Sequence, residues 1–361
     1  MTSIIYVGMD VHTTNYTLCC YSMEDDRFFA EVQVEPDAKN ILKYLARIEK
    51  QQSRDCRIVC GYEAGCLGYS LYHQLHAHGI DCVILAQTTM MTKPGKRIKT
   101  DRRDARLISK CLAFHTYSPV YIPTEVDDTV KEYIRMRDDA NSALARVKQQ
   151  IIAFCIRHGK IHDGKSYWTN KHLEWLSSLD LGNKILSEVL QEYLIRYYQL
   201  REQVDVYDMR INELAQAEPY RQKVEKLGCF RGIAAHTALS FCVEVGDFRR
   251  FATAQQFASY LGLVPGECSS GDKQQYTGIT KAGNSHLRKL LVETAQVFGR
   301  SATKSGKSVA LKERQAKCDS LTVAYADKAN ARLKKKYFKI AMRSKVNIAK
   351  TAVAREMACF I

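Results

Sequence analysis

The sequence predicts an α/β domain with a mixed sheet, then a long helical middle, then a mainly helical C-terminal domain. Three observations carry this. Residues 4–36 hold three strand-like runs in close succession, after which helices and strands alternate. Residues 125–158 and 183–217 keep a helical period without a break. From Lys226 onward short helical patterns and glycine turns lead into a basic tail. The expected domain limits are 1–122, 123–222 and 223–361.

The first run, "IIYVGMDV", is apolar. A polar turn from Thr13 to Asn15 leads to "YTLCCYS", and the acidic turn "EDD" leads to "RFFAEVQVE". "AKNILKYLARIEKQ" places Ile41, Leu42, Leu45 and Ile48 on one side of a helix. "CRIVCGYEA" is short, apolar and β-rich, as a central strand would be. "GYSLYHQLHAHG" reads as a helix ended by Gly79, "IDCVILA" as a strand, and "DRRDARLISKCLAFH" as a helix starting near Thr100. The predicted order is β-β-β-α-β-α-β-α. Three antiparallel strands followed by alternation imply a mixed sheet flanked by helices.

In the second long helix Leu186, Leu190, Tyr193, Tyr197, Leu200, Val204, Tyr207, Ile211 and Leu214 alternate at spacings of four and three. That is the pattern of a coiled-coil seam, with an amphipathic helix on a globular core as the alternative. It fits an internal antiparallel hairpin with the first long helix, an oligomer contact, or both. Trp168 and Trp175, between the two helices, read as packing anchors.

Lys and Arg number 54 against 39 Asp and Glu, a net charge of +15. Residues 301–361 hold 15 Lys and Arg, among them Lys334, Lys335 and Lys336, against four acids. A basic lobe of this kind favours a polyanionic partner, of which nucleic acid is the commonest. No apolar run reaches the roughly 18–20 residues of a membrane span, and "MTSIIYVGMD" has no cationic leader. Thirteen cysteines without CxxC or Cys/His metal spacing fit buried thiols in a reducing cytoplasm.

Four carboxylates stand out. Asp10 sits near the end of the first strand and Glu63 at the end of the fourth. Asp101 and Asp104, in "KTDRRDAR", are three apart on one helix face. If the fourth strand lies parallel beside the first, Asp10 and Glu63 become neighbours and the later helix brings the two aspartates to the same edge. Hard oxygen ligands arranged this way suit Mg²⁺ or Mn²⁺. Two such ions about 3.5–4 Å apart clamp a phosphodiester undergoing in-line attack. Lys99, Arg102, Arg103 and Arg106 on the same stretch would then receive phosphate. The plainer alternative is a salt-bridged helix start capped by Thr100.

"YVGMDVH", "GYEAG" and "KTDRRDAR" resemble the D-E-D-D signature of the RNase H-like, RuvC-type domain of the IS110/IS1111 family of bacterial insertion-sequence transposases. "GDFRRF", "GLVP", "SSG" and "KAGNSHLRKLL" are similar to the second domain of that family, so the resemblance spans the whole chain. It implies a recombinase whose serine nucleophile works with the acidic metal site through a 5′-phosphoserine bond. It further implies donor and target DNA as partners, a guide (bridge) RNA encoded by the element, and a homo-oligomer of dimers assembling into a tetramer. A bacterial, nucleoid-associated setting goes with it. The family serine precedes the glycine of "SG", which here is Ser270, with Ser269 as its neighbour. One departure is "FRGIAAHTA", where Arg231 and Ala234 replace the family's proline and second glycine. A phosphate contact through backbone amides there lacks a glycine it would use.

The residues around Ser270 agree with this role. "PGECSSGDKQQYTG" is polar and turn-rich, with Lys273 beside the serine. A serine hydroxyl needs activation, by a base or by a metal site once the domains meet. "GITKAGNSHLRKLL" reads as a turn feeding a helix. Asn284 serves there as a cap, or joins Lys281 and Arg288 in holding a phosphate. Two other functions fit fewer of these features. One is a hydrolytic, junction-resolving endonuclease in which Ser270 is incidental. The other is a non-catalytic nucleic-acid-binding protein.

Overall fold

The computed structural model describes residues 3–52, 56–90, 100–267, 275–300 and 306–361. They form two compact units, 1–122 and 123–361.

The first unit is built on one five-stranded sheet. Its elements are β1 (Ser3–Val11), β2 (Tyr16–Ser22), β3 (Arg27–Val34), α1 (Ala38–Gln51), β4 (Cys56–Glu63), α2 (Ser70–Ala77), β5 (Asp81–Leu85) and α3 (Asp101–Ala113). The sheet order is β3-β2-β1-β4-β5. β1 is antiparallel to β2 and parallel to β4, and β4 is parallel to β5. The period-2 alternation of the strands sorts the two faces. Ile5, Val7 and Met9 join Leu18, Cys60 and Tyr62 in a core with Ile41, Leu45 and Ile48 of α1 and Leu71 and Leu75 of α2. Tyr6, Tyr21 and Leu85 face the other way, onto Ile108, Cys111 and Leu112 of α3. The expected element order therefore appears in full, with helices on both faces of a mixed sheet.

The second unit starts with α4 (Glu125–Arg157), α5 (Asn170–Ser177) and α6 (Lys184–Gln216). Phe154 meets Tyr193, Tyr133 meets Tyr207, and Arg137 bonds Asp208, so α4 and α6 run antiparallel within the chain. Leu190, Tyr197, Val204 and Ile211 of the seam are buried, and Trp168 and Trp175 pack against the core that holds the first three. Leu194, off the seam, is buried as well, in the same cluster as Leu173 and Leu176 of α5.

There follow α7 (Arg221–Gly228), α8 (Ala235–Val245), α9 (Ala254–Tyr260), β6 (Pro265–Glu267), β7 (Tyr276–Ile279), α10 (Ser285–Ala295), α11 (Val309–Gln315), α12 (Ser320–Ala341) and α13 (Val346–Phe360). β6 and β7 pair antiparallel. One core holds Val130 and Ile134 of α4, Ile211 and Ala215 of α6, and Leu239, Leu291, Leu333 and Val353 further on. Residues 123–222 and 223–361 are thus one compact unit, with no break at 222. No helix among the described residues is long and apolar enough to cross a membrane, and the twelve described cysteines are free thiols.

Candidate active site

Parallel pairing of β1 with β4 brings the first two carboxylates together. Met9 pairs with Tyr62, so Asp10 and Glu63 are next in register on adjacent strands. Both lie two residues beyond a glycine on the α3 face: Gly8 and Gly61 pair with each other directly under that helix.

The glycines set how closely α3 approaches. A Cβ on Gly8 would fall 2.1 Å from the Ala105 carbonyl oxygen and 2.4 Å from the Ser109 nitrogen. Only a strand position without a side chain admits the helix backbone there. The helix start is fixed by Thr100, whose hydroxyl accepts from the Arg103 N–H, and Asp101 and Asp104 occupy its first turn. Gly8→Ala is expected to push α3 off the sheet, with a loss of about 1–3 kcal/mol in chemical denaturation and a matching loss of divalent-metal affinity. Gly65→Ala is the control, because its Cβ would meet nothing nearer than 3.7 Å.

Asp10, His12 and Asp101 each offer a ligand atom, and these atoms lie within 4.8 Å of one another. The Asp10 side chain is 13% exposed, and His12 Nε2 lies 3.3 Å from its Oδ2. That Oδ2 is buried and accepts no hydrogen bond. Burial lifts the Asp10 carboxyl above its ordinary value. His12 pulls it back, and the Asp104 and Asp101 carboxylates raise it further. A buried carboxylate oxygen with no donor, crowded by two more carboxylates, fits a divalent cation, which would supply the missing partner and cancel the repulsion. Asp10, His12 and Asp101 have ligand atoms close enough for one ion, while Glu63 is next to Asp10 in register and Asp104 shares the first turn of α3 with Asp101.

His12 is not marked by sequence spacing against the family motif. The signal that finds it is its place two residues beyond Asp10 on an extended segment, which returns it to the same side.

The cations of "KTDRRDAR" are divided. Arg106 Nε donates to Glu31 Oε2 at 2.6 Å, and Arg102 Nε lies 3.3 Å from Glu31 Oε1, so two of them tie α3 to β3. That hydrogen bond raises the Arg106 guanidinium further above its already high value. Arg102 and Arg106 remain exposed, as does Arg103, and a cleft of about 470 Å³ lined by Thr17, Gln33, Thr100, Asp101 and Arg102 opens beside the acidic cluster. Lys99 lies outside the described residues.

Ser270, Ser269 and Lys273 also lie outside the described residues, in the segment that joins β6 to β7. The base of that hairpin is firmly built. The Asn284 side chain caps α10, accepting from Leu287 N–H at 2.9 Å, and its Nδ2 donates to Glu244 Oε2 at 2.9 Å. Arg288 donates to the Leu261 and Ala282 carbonyl oxygens. Gly262, at φ +64°, lets the 281–284 turn lie against it: a Cβ there would be 2.1 Å from the Ala282 oxygen. Asn284 and Arg288 therefore hold the fold together, while Lys281 is exposed. On α12, Lys336 and Arg332 pair with Glu356, and Lys335 and Lys339 are exposed along the same groove of about 450 Å³. Lys334 is half-buried beside it.

A second polar cluster joins helices far apart in sequence. Asp138 of α4 pairs with His286 Nε2 at 2.8 Å and accepts from Arg137 at 3.1 Å, and its Oδ1 lies 2.9 Å from His236 Nε2. Glu244, 7% exposed, receives Arg135 at 3.1 Å and lies 3.4 Å from His286 Nδ1.

The geometry defines a chain with a carboxylate-rich, metal-competent site on a mixed α/β sheet, and comparison with known proteins gives the class: DNA transposases. A family model for the DEDD transposases of IS110-type elements matches residues 7–156, and the model described as the transposase IS116/IS110/IS902 family matches residues 225–314. The transposase for insertion sequence element IS1533 of Leptospira borgpetersenii is 32% identical over 340 residues, covering 92% of this chain and 95% of its own. The protein y4qE of Sinorhizobium fredii (strain NBRC 101917 / NGR234), named as a transposase, is 35% identical over 301 residues, covering 83% of this chain and 73% of its own. The transposase for IS1111A of Coxiella burnetii is 27% identical over 210 residues, 56% of each chain. This chain belongs to the IS110/IS1111 family of insertion-sequence transposases, enzymes that bind, cut and rejoin DNA.

Proposed function

We propose that this transposase is an RNA-guided serine recombinase that cuts and rejoins DNA through a 5′-phosphoserine intermediate. Its acidic site is the D-E-D-D centre of an RNase H-like, RuvC-type fold. The observation that carries the reading is the convergence of Asp10 and Glu63, in register on parallel strands, beneath a helix whose first turn holds Asp101 and Asp104. The strand order β3-β2-β1-β4-β5 with its antiparallel first pair supports the fold assignment.

In this mechanism the four carboxylates hold Mg²⁺ or Mn²⁺. Bound metal supplies Lewis-acid polarisation of the scissile phosphate. Arg102 and Arg103 orient the backbone beside the cleft, and Lys99, next in sequence to the helix start, adds a cation for the same phosphates. Ser270 Oγ attacks the phosphorus, forming the Oγ–P bond as the P–O3′ bond breaks, and the serine proton leaves to a base while the 3′-oxygen is protonated. The phosphodiester energy is kept in the serine ester, so a second strand's 3′-hydroxyl can attack it and free the serine. Donor DNA, target DNA and an element-encoded guide RNA occupy the basic surfaces, including Lys281 and the α12 groove around Lys335, and Lys273 is a further cation assigned to them from the sequence. The α4–α6 pair acts as a coiled-coil arm through which dimers assemble into a tetramer. The enzyme works in the bacterial cytoplasm, at the nucleoid.

A denaturing gel of the full chain with labelled donor DNA, Mg²⁺ and RNA transcribed from beside the reading frame tests this. A covalent protein–DNA adduct is expected, absent in Ser270→Ala and in Asp104→Asn. Cleavage that survives Ser270→Ala and fails only in Asp104→Asn would make the enzyme a hydrolytic junction-resolving nuclease instead. Cleavage that is indifferent to the RNA would remove the guide from the reading.

A further inference from the structure

We infer that His12 is a ligand of the acidic site, and that this mixed nitrogen–oxygen donor set selects Mn²⁺ over Mg²⁺. The inference rests on the reading of Asp10 and Asp101 as metal ligands and adds a residue that the four-carboxylate signature does not contain.

The geometry is direct. β1 ends at Val11, and His12 continues it, anchored by its N–H to the Asn15 carbonyl oxygen at 3.0 Å. Asp10 and His12 are two apart, so both side chains leave the chain on the same side. That is the side where α3 begins with Asp101. Donor atoms bound to one ion at about 2.0–2.2 Å are at most about 4.4 Å apart. The three donor atoms here lie within 4.8 Å of one another without an ion, so small side-chain rotations close the set. Among the described residues this trio alone comes so close. Glu63, next to Asp10 in register, and Asp104, in the same first turn of α3 as Asp101, would complete the shell.

Two further features point the same way. Asp10 Oδ2 is buried and accepts no hydrogen bond, which leaves an acceptor aimed into the cluster. The His12 side chain is 47% exposed, so its ring can turn toward an ion without leaving a core. The chemistry then sets the preference. Mg²⁺ favours oxygen donors and its own waters, and gives up water reluctantly. An imidazole nitrogen is a better donor for the first-row transition ions, and Mn²⁺ also accepts carboxylates readily. A site of carboxylates alone would lack that bias.

The test uses Mn²⁺ and Mg²⁺ as the only ligands, with the full chain at neutral pH and no nucleic acid. Mn²⁺ affinity is read from the free-ion electron paramagnetic resonance signal, and Mg²⁺ affinity by competition. Pulsed resonance on bound Mn²⁺ reads coordinated nitrogen-14. The expected result is nitrogen coupling in the wild type that disappears in His12→Ala and His12→Gln. Mn²⁺ binding should weaken about 10-fold or more in both variants, while Mg²⁺ binding changes by less than about 2-fold. Thermal unfolding of both variants at the wild-type temperature confirms the fold. Equal weakening for the two metals, or nitrogen coupling absent from the wild type or persisting in both variants, overturns the inference. Asp10→Asn separates this from the parent reading. If Asp10→Asn loses both metals and the His12 variants lose neither, only the histidine assignment falls. If Asp10→Asn keeps full Mn²⁺ affinity, the carboxylate site itself is wrong, and the histidine assignment falls with it.

Discussion

Asp10→Asn is expected to cut DNA strand cleavage by roughly 10³-fold or more while leaving the protein folded and no less stable. The catalytic loss follows from the metal. The Asp10 side chain is only 13% exposed, and removing its charge weakens the hold on a cation worth several kcal/mol in the transition state. The stability side follows from crowding. Burial and the neighbouring Asp104 and Asp101 carboxylates disfavour the charged form of Asp10, so its ionisation opposes folding when no metal is bound. Asparagine keeps the shape and removes the repulsion. Thermal unfolding in chelator should therefore show an unchanged or slightly higher midpoint for Asp10→Asn. Added Mn²⁺ should raise the wild-type midpoint and leave the variant's in place, since a ligand that binds only the folded state stabilises by mass action. A variant that lost activity because it unfolded would show the opposite order in chelator. Cleavage retained within about 10-fold of wild type would take Asp10 out of the reaction.

Legibility in the sequence follows how local each signal is. The β-β-β-α-β-α-β-α order could be read because apolar alternation and turn residues mark each strand separately, and the Thr100 cap announces α3. Asp10 and Glu63 could be paired on paper because strand order alone places β4 beside β1. The closeness of α3 could not. It depends on Gly8 and Gly61 falling opposite each other, a long-range coincidence that no window of sequence reports. The partner of Arg102 and Arg106 is equally non-local: Glu31, on the edge strand, lies 75 residues before Arg106. The basic run looked like four cations for phosphate, yet the fold uses two of them to pin the helix to β3. On the other side of the chain, "GITKAGNSHLRKLL" left Asn284 as cap or phosphate contact. Its oxygen takes the Leu287 N–H and its nitrogen meets buried Glu244, so the cap is what the fold requires of it.

Asp138→Ala is expected to destabilise the second unit by up to about 3–5 kcal/mol, the cost of removing one partner from a fully buried charge pair, since this network is largely but not fully enclosed. The variant would leave His286, His236 and Arg137 without the carboxylate they share. The network also predicts a pH profile. Burial alone would depress His286, but its bonds to Asp138 and Glu244 outweigh this and lift it to about 9. Burial alone would raise Glu244. His286, Arg135 and Asn284 outweigh this and hold it at about 2. Asp138 is held well below the usual carboxylate range against its own burial by His236, His286 and Arg137. A raised histidine contributes stability that is whole below its unfolded value of about 6.5 and fades as pH rises through 9. A depressed glutamate contributes stability that is whole above about 4.5 and fades as pH falls toward 2. The cluster is therefore strongest between about pH 4.5 and 6.5. Its alkaline loss is up to ~3 kcal/mol from His286 alone. Urea unfolding followed in that window and again near pH 9 should show this loss in the wild type. His286→Gln should be weaker in the window and nearly flat over the same rise, because the proton that mattered is no longer there to lose. An alkaline slope unchanged in His286→Gln would place the titration elsewhere. Because Glu244 also grips Asn284 at the start of α10, the 281–284 turn that supports the β6–β7 hairpin should loosen over the same pH rise. Amide exchange at Leu287, whose N–H the Asn284 side chain receives, should report it.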